Sequence, residues 1–65
     1  MILEIDIWRS ANELIKQHGD LADIEAASRA DALLAKGDHE GQRVWLRILK
    51  AIDELQQFEL RQTKH

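Results

Sequence analysis

Proline is absent from this chain, and two of its three glycines each precede an aspartate, in His18-Gly19-Asp20 and Lys36-Gly37-Asp38. These two triplets constrain the fold more than any other feature. Glycine fits the left-handed position just past a helix end at little steric cost. The aspartate can then accept a hydrogen bond from the first free N–H groups of the next helix. A basic or titratable residue before each glycine suits the negative end of the helix dipole. Each triplet therefore reads as a stop followed by a start.

Three helices follow, over about 6–18, 21–36 and 39–62 of a single domain spanning 1–65. The first carries Trp8, Ala11, Leu14, Ile15 and His18 at the 3–4 spacing of one helical face. The second is rich in alanine (Ala22, Ala26, Ala27, Ala30, Ala32, Ala35), with Ile24, Leu33 and Leu34 as larger anchors. Alanine favours helix and lets a neighbouring helix approach closely. The third carries Val44, Trp45, Ile48, Ile52, Leu55 and Phe58. Leu3, Ile5 and Ile7 alternate with Glu4 and Asp6, which is a strand pattern. A lone strand would need a partner across a dimer; otherwise the start is an extended arm or an early helical turn. Short connections make neighbouring helices antiparallel, so helices one and three should begin at the same end. That gathers Trp8, Leu33, Leu34 and Trp45 into an expected aromatic heart.

Size sharpens the picture. At 65 residues and 7.5 kDa, area scaling gives about 4,200 Å² folded and 10,900 Å² unfolded. If about 60% of the buried area is apolar, burial is worth on the order of 100 kcal/mol. Ordering the chain at about 1.5 kcal/mol per residue costs a similar amount. With no cysteine there is no disulfide to help, which leaves well-formed helices, a metal or a partner chain.

The same composition excludes several chemistries. Without cysteine there is no thiol nucleophile and no Cys-ligated zinc site. No apolar run reaches 18 residues, so no membrane span is expected. The stretch Met1 to Asp6 lacks a basic segment and a long apolar one, so no signal peptide is expected and the cytoplasm is the expected location. The net charge of −3 argues against non-specific binding to nucleic acid, which needs clustered Lys and Arg.

Candidate chemistry is sparse. His18 and His39 lie at opposite ends of the second helix, roughly 24 Å apart, too far to share a metal; cap and dipole roles account for them better. Ser10 and Ser28 sit in no nucleophile elbow. Asp20/Asp23 and Asp53/Glu54 read as a helix start and a solvated face. Ligand pockets usually need about 300 Å³ or more, and short helices with tight turns leave little room. No catalytic, cofactor-binding or metal-ligating residue is assigned, no small-molecule substrate is evident, and no enzyme activity is expected. Arg43, Arg47 and Lys50, at i, i+4 and i+7, form a basic stripe countered by Asp23, Glu25 and Asp31. Three cations without interleaved aromatics make a weak nucleic-acid footprint. A helix-turn-helix reading of Leu21 to Ile52 would insert Arg43, Trp45 and Arg47 into a groove, but the third helix's apolar stripe suits a bundle better.

Gln17-His18-Gly19-Asp20, Arg29-Ala30-Asp31 with Leu33-Leu34, Gly37-Asp38, Gly41 and Trp45-Leu46-Arg47-Ile48 together form a pattern. It resembles a group of short alphaproteobacterial proteins classed as a domain of unknown function. That group shows a Trp in the first helix, a Gln-His-Gly triplet, and a Gly-Asp turn followed by Gly and Trp. The likeness covers Ile7 to Leu55. It implies a small cytosolic bacterial helical domain and brings no catalytic residue.

The expected fold is an all-α, three-helix antiparallel bundle with a long C-terminal helix. The expected function is a small protein-interaction or regulatory module, acting through helical packing or homo-oligomerisation. The alternative is a nucleic-acid-associated regulator, antitoxin-like or transcription-linked. The expected partner is a second copy or another helical protein. A third helix of about 24 residues should overshoot a first of about 13 by about 16 Å. The overshoot would expose Ile52, Leu55, Phe58 and Leu60 as interface candidates.

Overall fold

The computed structural model describes residues 4–63, with side-chain environments through residue 58. Among these the chain is all-helical. The order is α1 (Glu4–His18), a short 3-10 turn (Gly19–Leu21), α2 (Ala22–Ala35) and α3 (His39–Thr63). The alternating start is therefore an early helical turn from Glu4 onward; Leu3 lies outside the described residues.

Both triplet glycines adopt the left-handed conformation, with φ of 58° at Gly19 and 82° at Gly37. At the second triplet the expected stop and start are both present. Gly37 N–H donates to Leu34 O at 2.9 Å and Asp38 N–H to Leu33 O at 2.9 Å, the paired bonds that close a helix over a left-handed residue. Asp38 Oδ1 then accepts from Gly41 N–H at 2.9 Å, capping α3.

At the first triplet the expectation fails in part. Asp20 does not cap α2. The chain passes from Gly19 straight into the 3-10 turn, and no side chain caps the residue before α2. An N-cap needs non-helical backbone, and a residue inside a helical turn lacks it. Ala22 N–H donates to Gly19 O, and Asp23 Oδ1 takes the Ile24 N–H at 2.8 Å. α1 and α2 are thus joined through one left-handed glycine and a single 3-10 turn.

Two contacts fix how α1 lies along α3. Arg47 donates to Glu4 Oε1 at 2.7 Å, and Gln56 Nε2 donates to Gly19 O at 3.0 Å. The two helices therefore run in the same sense, but α1 starts beside Arg47, about two turns into α3. The first turns of α3 pack on α2 instead. The most extensive contact is between α2 and α3, where the fully buried Ala22, Ala26 and Ala30 let the backbones close up.

That offset overturns the aromatic heart. The core is Ile7, Ala11, Leu14, Ala22, Ala26, Ile48, Ala51 and Ile52, with Trp8 and Trp45 half-buried against it. Trp45 lies on the α2 side of α3, under the Arg29 guanidinium. Trp8 lines a groove together with Arg47, Lys50, Ala51 and Glu54. At about 100° per residue, Arg47 and Glu54 point almost opposite to Trp45 around α3. The two indoles thus serve different seams, and Leu34 is largely exposed.

Candidate functional site

The interface candidates divide once the helices are in register. Ile52 is 0% exposed and belongs to the chain's own core, and Leu55 is half-buried against it. The uncovered stretch therefore starts later than Ile52. The cause is the axial offset: α1 reaches as far as Gln56, so it covers the turns that equal starting points would have left bare. Phe58 is 59% exposed. The side chain of Leu60 lies outside the described residues.

The basic stripe is partly occupied. Arg47 pairs with Glu4 from α1 across half-exposed surface. The opposing charge thus comes from α1 and not from α2, where the sequence placed it. Such a pair is worth about 0.2–1 kcal/mol, enough to help set the register of α1. Lys50 stands on the rim of a groove between α1 and α3, and Arg43 is exposed.

That groove, about 300 Å³, is more space than the short helices were expected to leave. Glu4, Ile7, Trp8, Arg47, Lys50, Ala51 and Glu54 line it. Two carboxylates, two cations and one indole face offer charge and an apolar floor. None of these side chains is a hydroxyl, thiol or imidazole nucleophile. Among the described residues no three His, Asp or Glu side chains converge as metal ligands, and no helix is long and apolar enough to cross a membrane.

On the other seam, Arg29 donates to Glu25 Oε2 at 2.8 Å and holds its guanidinium carbon 5.1 Å from the centre of the Trp45 ring. The hydrogen bond from Arg29 keeps the Glu25 carboxyl below its ordinary value of 4.5; desolvation, next in size, opposes it, and the Arg29 charge and then His18 add smaller lowering effects. The i, i+4 spacing of Glu25 and Arg29 was legible in the sequence. The stacking on Trp45 needed the helix register.

The surface that sequence reading missed is the outer face of α2. At about 100° per residue, the side opposite Ala22, Ala26 and Ala30 carries Ile24, Ser28, Asp31, Ala32 and Ala35, and Leu21 of the preceding 3-10 turn stands at its start. All six are exposed, Leu21 to 61% and Ile24 to 62%. Five of the six are apolar or small, so α2 is weakly polar on both sides. The signal was present as alanines at every face; it read as one tight packing surface and not as two.

No family model matches this chain, and neither a curated protein nor a solved structure matches it.

Proposed function

We propose that this chain is a small protein-interaction or regulatory module, built as a three-helix antiparallel bundle with a long C-terminal helix, that works in the cytoplasm by packing a helix face against another chain. The observation that carries this reading is the outer face of α2, with Leu21 and Ile24 more than half exposed beside small side chains. Contiguous exposed apolar surface marks interaction sites. The Glu4–Arg47 and Gln56–Gly19 contacts support the antiparallel placing of α2 against its two neighbours. The pairing of Arg47 with Glu4 weighs against the nucleic-acid alternative, because it engages one of three stripe cations.

The test is in-cell photo-crosslinking with a photoreactive amino acid in place of Ile24. The reading expects a covalent adduct heavier than the 7.5 kDa chain. If irradiation leaves the chain at its own mass, with the probe at Leu21 and Ser28 as well as at Ile24, the reading is wrong.

A further inference from the structure

We infer that the partner of the α2 outer face is the same face of a second copy of this chain, the two helices lying antiparallel about a two-fold axis that passes beside Ser28. This rests on the interaction reading above and names its partner.

The first argument is area. The chain exposes 5081 Å², whereas a compact monomer of its mass exposes roughly 4,200 Å². Its radius of gyration is 12.4 Å, against roughly 11 Å for a compact chain of this length. The surplus of roughly 800–900 Å² belongs to the elongated chain as a whole, and the α2 outer face, with Leu21 and Ile24 more than half exposed, contributes part of it.

The second argument is register. Leu21 stands seven residues before Ser28 and Ala35 seven after; Ile24 stands four before and Ala32 four after. A two-fold axis at Ser28 therefore sets Leu21 of one copy over Ala35 of the other, and Ile24 over Ala32. Large side chains meet small ones at each level, and the two serines meet at the crossing, where small residues permit close approach. Such self-complementarity is what an isologous interface requires.

The third argument is charge. Glu25 and Arg29 flank this face on one side. At 1.5 Å per residue, the axis brings Glu25 of one copy within about 3 Å, along the helix direction, of Arg29 of the other. Asp31 is the single charge on the face. It lies on the opposite flank, and the axis holds its two copies about 9 Å apart along the helices, near one Debye length.

The experiment uses the purified full chain. Sedimentation equilibrium at micromolar concentration should give twice the 7.5 kDa chain mass. Ile24→Asp places a carboxylate in both halves of the interface and should raise the dissociation constant by at least roughly 100-fold. Ile24 is largely exposed within one chain, so the far-ultraviolet circular dichroism should keep its helical form. Because the chain has no cysteine, Ser28→Cys should link two copies through a disulfide under mild oxidation, while Phe58→Cys should not. Two results overturn the proposal. One is a chain that stays monomeric at several hundred micromolar. The other is a dimer that links through Phe58→Cys and not through Ser28→Cys. In either case an in-cell adduct at Ile24 with the mass of a different protein would leave the interaction reading standing, whereas no adduct would remove both.

Discussion

The two Gly-Asp turns begin from nearly the same sequence and end as different devices. Around Gly37 the chain leaves helical geometry for three residues. The hydrogen bonds there are local: Leu33 O and Leu34 O accept from the turn, and Asp38 caps the next helix. Around Gly19 a single left-handed residue turns the chain, which re-enters helical geometry at once through the 3-10 turn. Its donors go to Gly19 O and Asp23, and Gln56 crosses from α3 to donate to Gly19 O. The second turn is closed by its own residues, the first by a distant one. One difference in sequence accounts for part of this. Three residues after Asp38 stands Gly41, but three residues after Asp20 stands a second carboxylate, Asp23. Asp38 takes the Gly41 N–H, whereas in the first turn Asp23 takes the Ile24 N–H.

The largest expected effect lies at the glycines. A φ of 82° at Gly37 lies beyond the narrow left-handed well open to other residues, while 58° at Gly19 lies within it. Gly37→Val should cost about 2 kcal/mol, a fall in melting temperature of roughly 8–16 °C for a domain of this size. Asparagine, which tolerates the left-handed well, separates the two positions. Gly19→Asn should be close to neutral and Gly37→Asn should cost about 1 kcal/mol. Equal losses at both sites, measured by thermal unfolding, would remove the distinction between the turns.

Next come the aspartates. Asp38→Ala should cost about 1 kcal/mol, the usual worth of a cap. Asp20→Ala should stay within about 0.5 kcal/mol of the parent, as for other surface positions without a defined partner. Urea denaturation of the two variants is sufficient, and a loss at Asp20 as large as that at Asp38 would show the first turn to be capped after all.

Much of this was legible in the residues. Both glycines, the helix limits to within two residues and the Asp38 cap follow from local backbone chemistry, which a sequence states directly. The axial offset of α1 against α3 does not. Hydrophobic periodicity says which face of a helix turns inward, but not how far one helix slides along another. That depends on the left-handed Gly19 and the 3-10 turn that join α1 to α2, and on pairs such as Glu4–Arg47, distant in sequence. The separate placing of Trp8 and Trp45, the covering of Ile52 and the groove all descend from this one unread quantity. The outer face of α2 was missed for another reason: alanine is compatible with either side of a helix, so its positions do not declare which side is buried.

A smaller effect isolates the role of Gly41. A Cβ there would stand 2.6 Å from Asp38 Oδ2, 2.9 Å from its Cγ and 3.1 Å from Leu33 Cδ1. Within a helix, alanine is otherwise better than glycine by about 1 kcal/mol. In the parent chain these two tendencies should nearly cancel, because the carboxylate must move and weaken its cap. In an Asp38→Ala background the main clash is gone, and Gly41→Ala should stabilise by somewhat less than 1 kcal/mol, since Leu33 must still yield. The double-mutant cycle should therefore show a coupling of at least about 0.5 kcal/mol. Strict additivity would mean that the glycine at this position is unrelated to the cap.

The smallest effect concerns pH and touches the first turn alone. Glu25 lies in the first turn of α2, and His18 of the first triplet contributes to holding its carboxyl low, after Arg29. A carboxyl whose pKa is lower folded than unfolded binds protons more readily in the unfolded chain. Its contribution to stability is therefore full above the unfolded value and is lost as pH falls through the folded one. The window lies below the ordinary value of 4.5. Protonation there should release Arg29 from Glu25 and with it the guanidinium held over Trp45. Tryptophan emission in a Trp8→Phe background, which isolates Trp45, should change between pH 5 and pH 3 while the helical circular dichroism persists. Glu25→Gln should remove the dependence. It keeps the shape of the side chain but cannot titrate, so a change of emission that survives this substitution would place the titrating group elsewhere and leave the Arg29–Trp45 stack independent of Glu25.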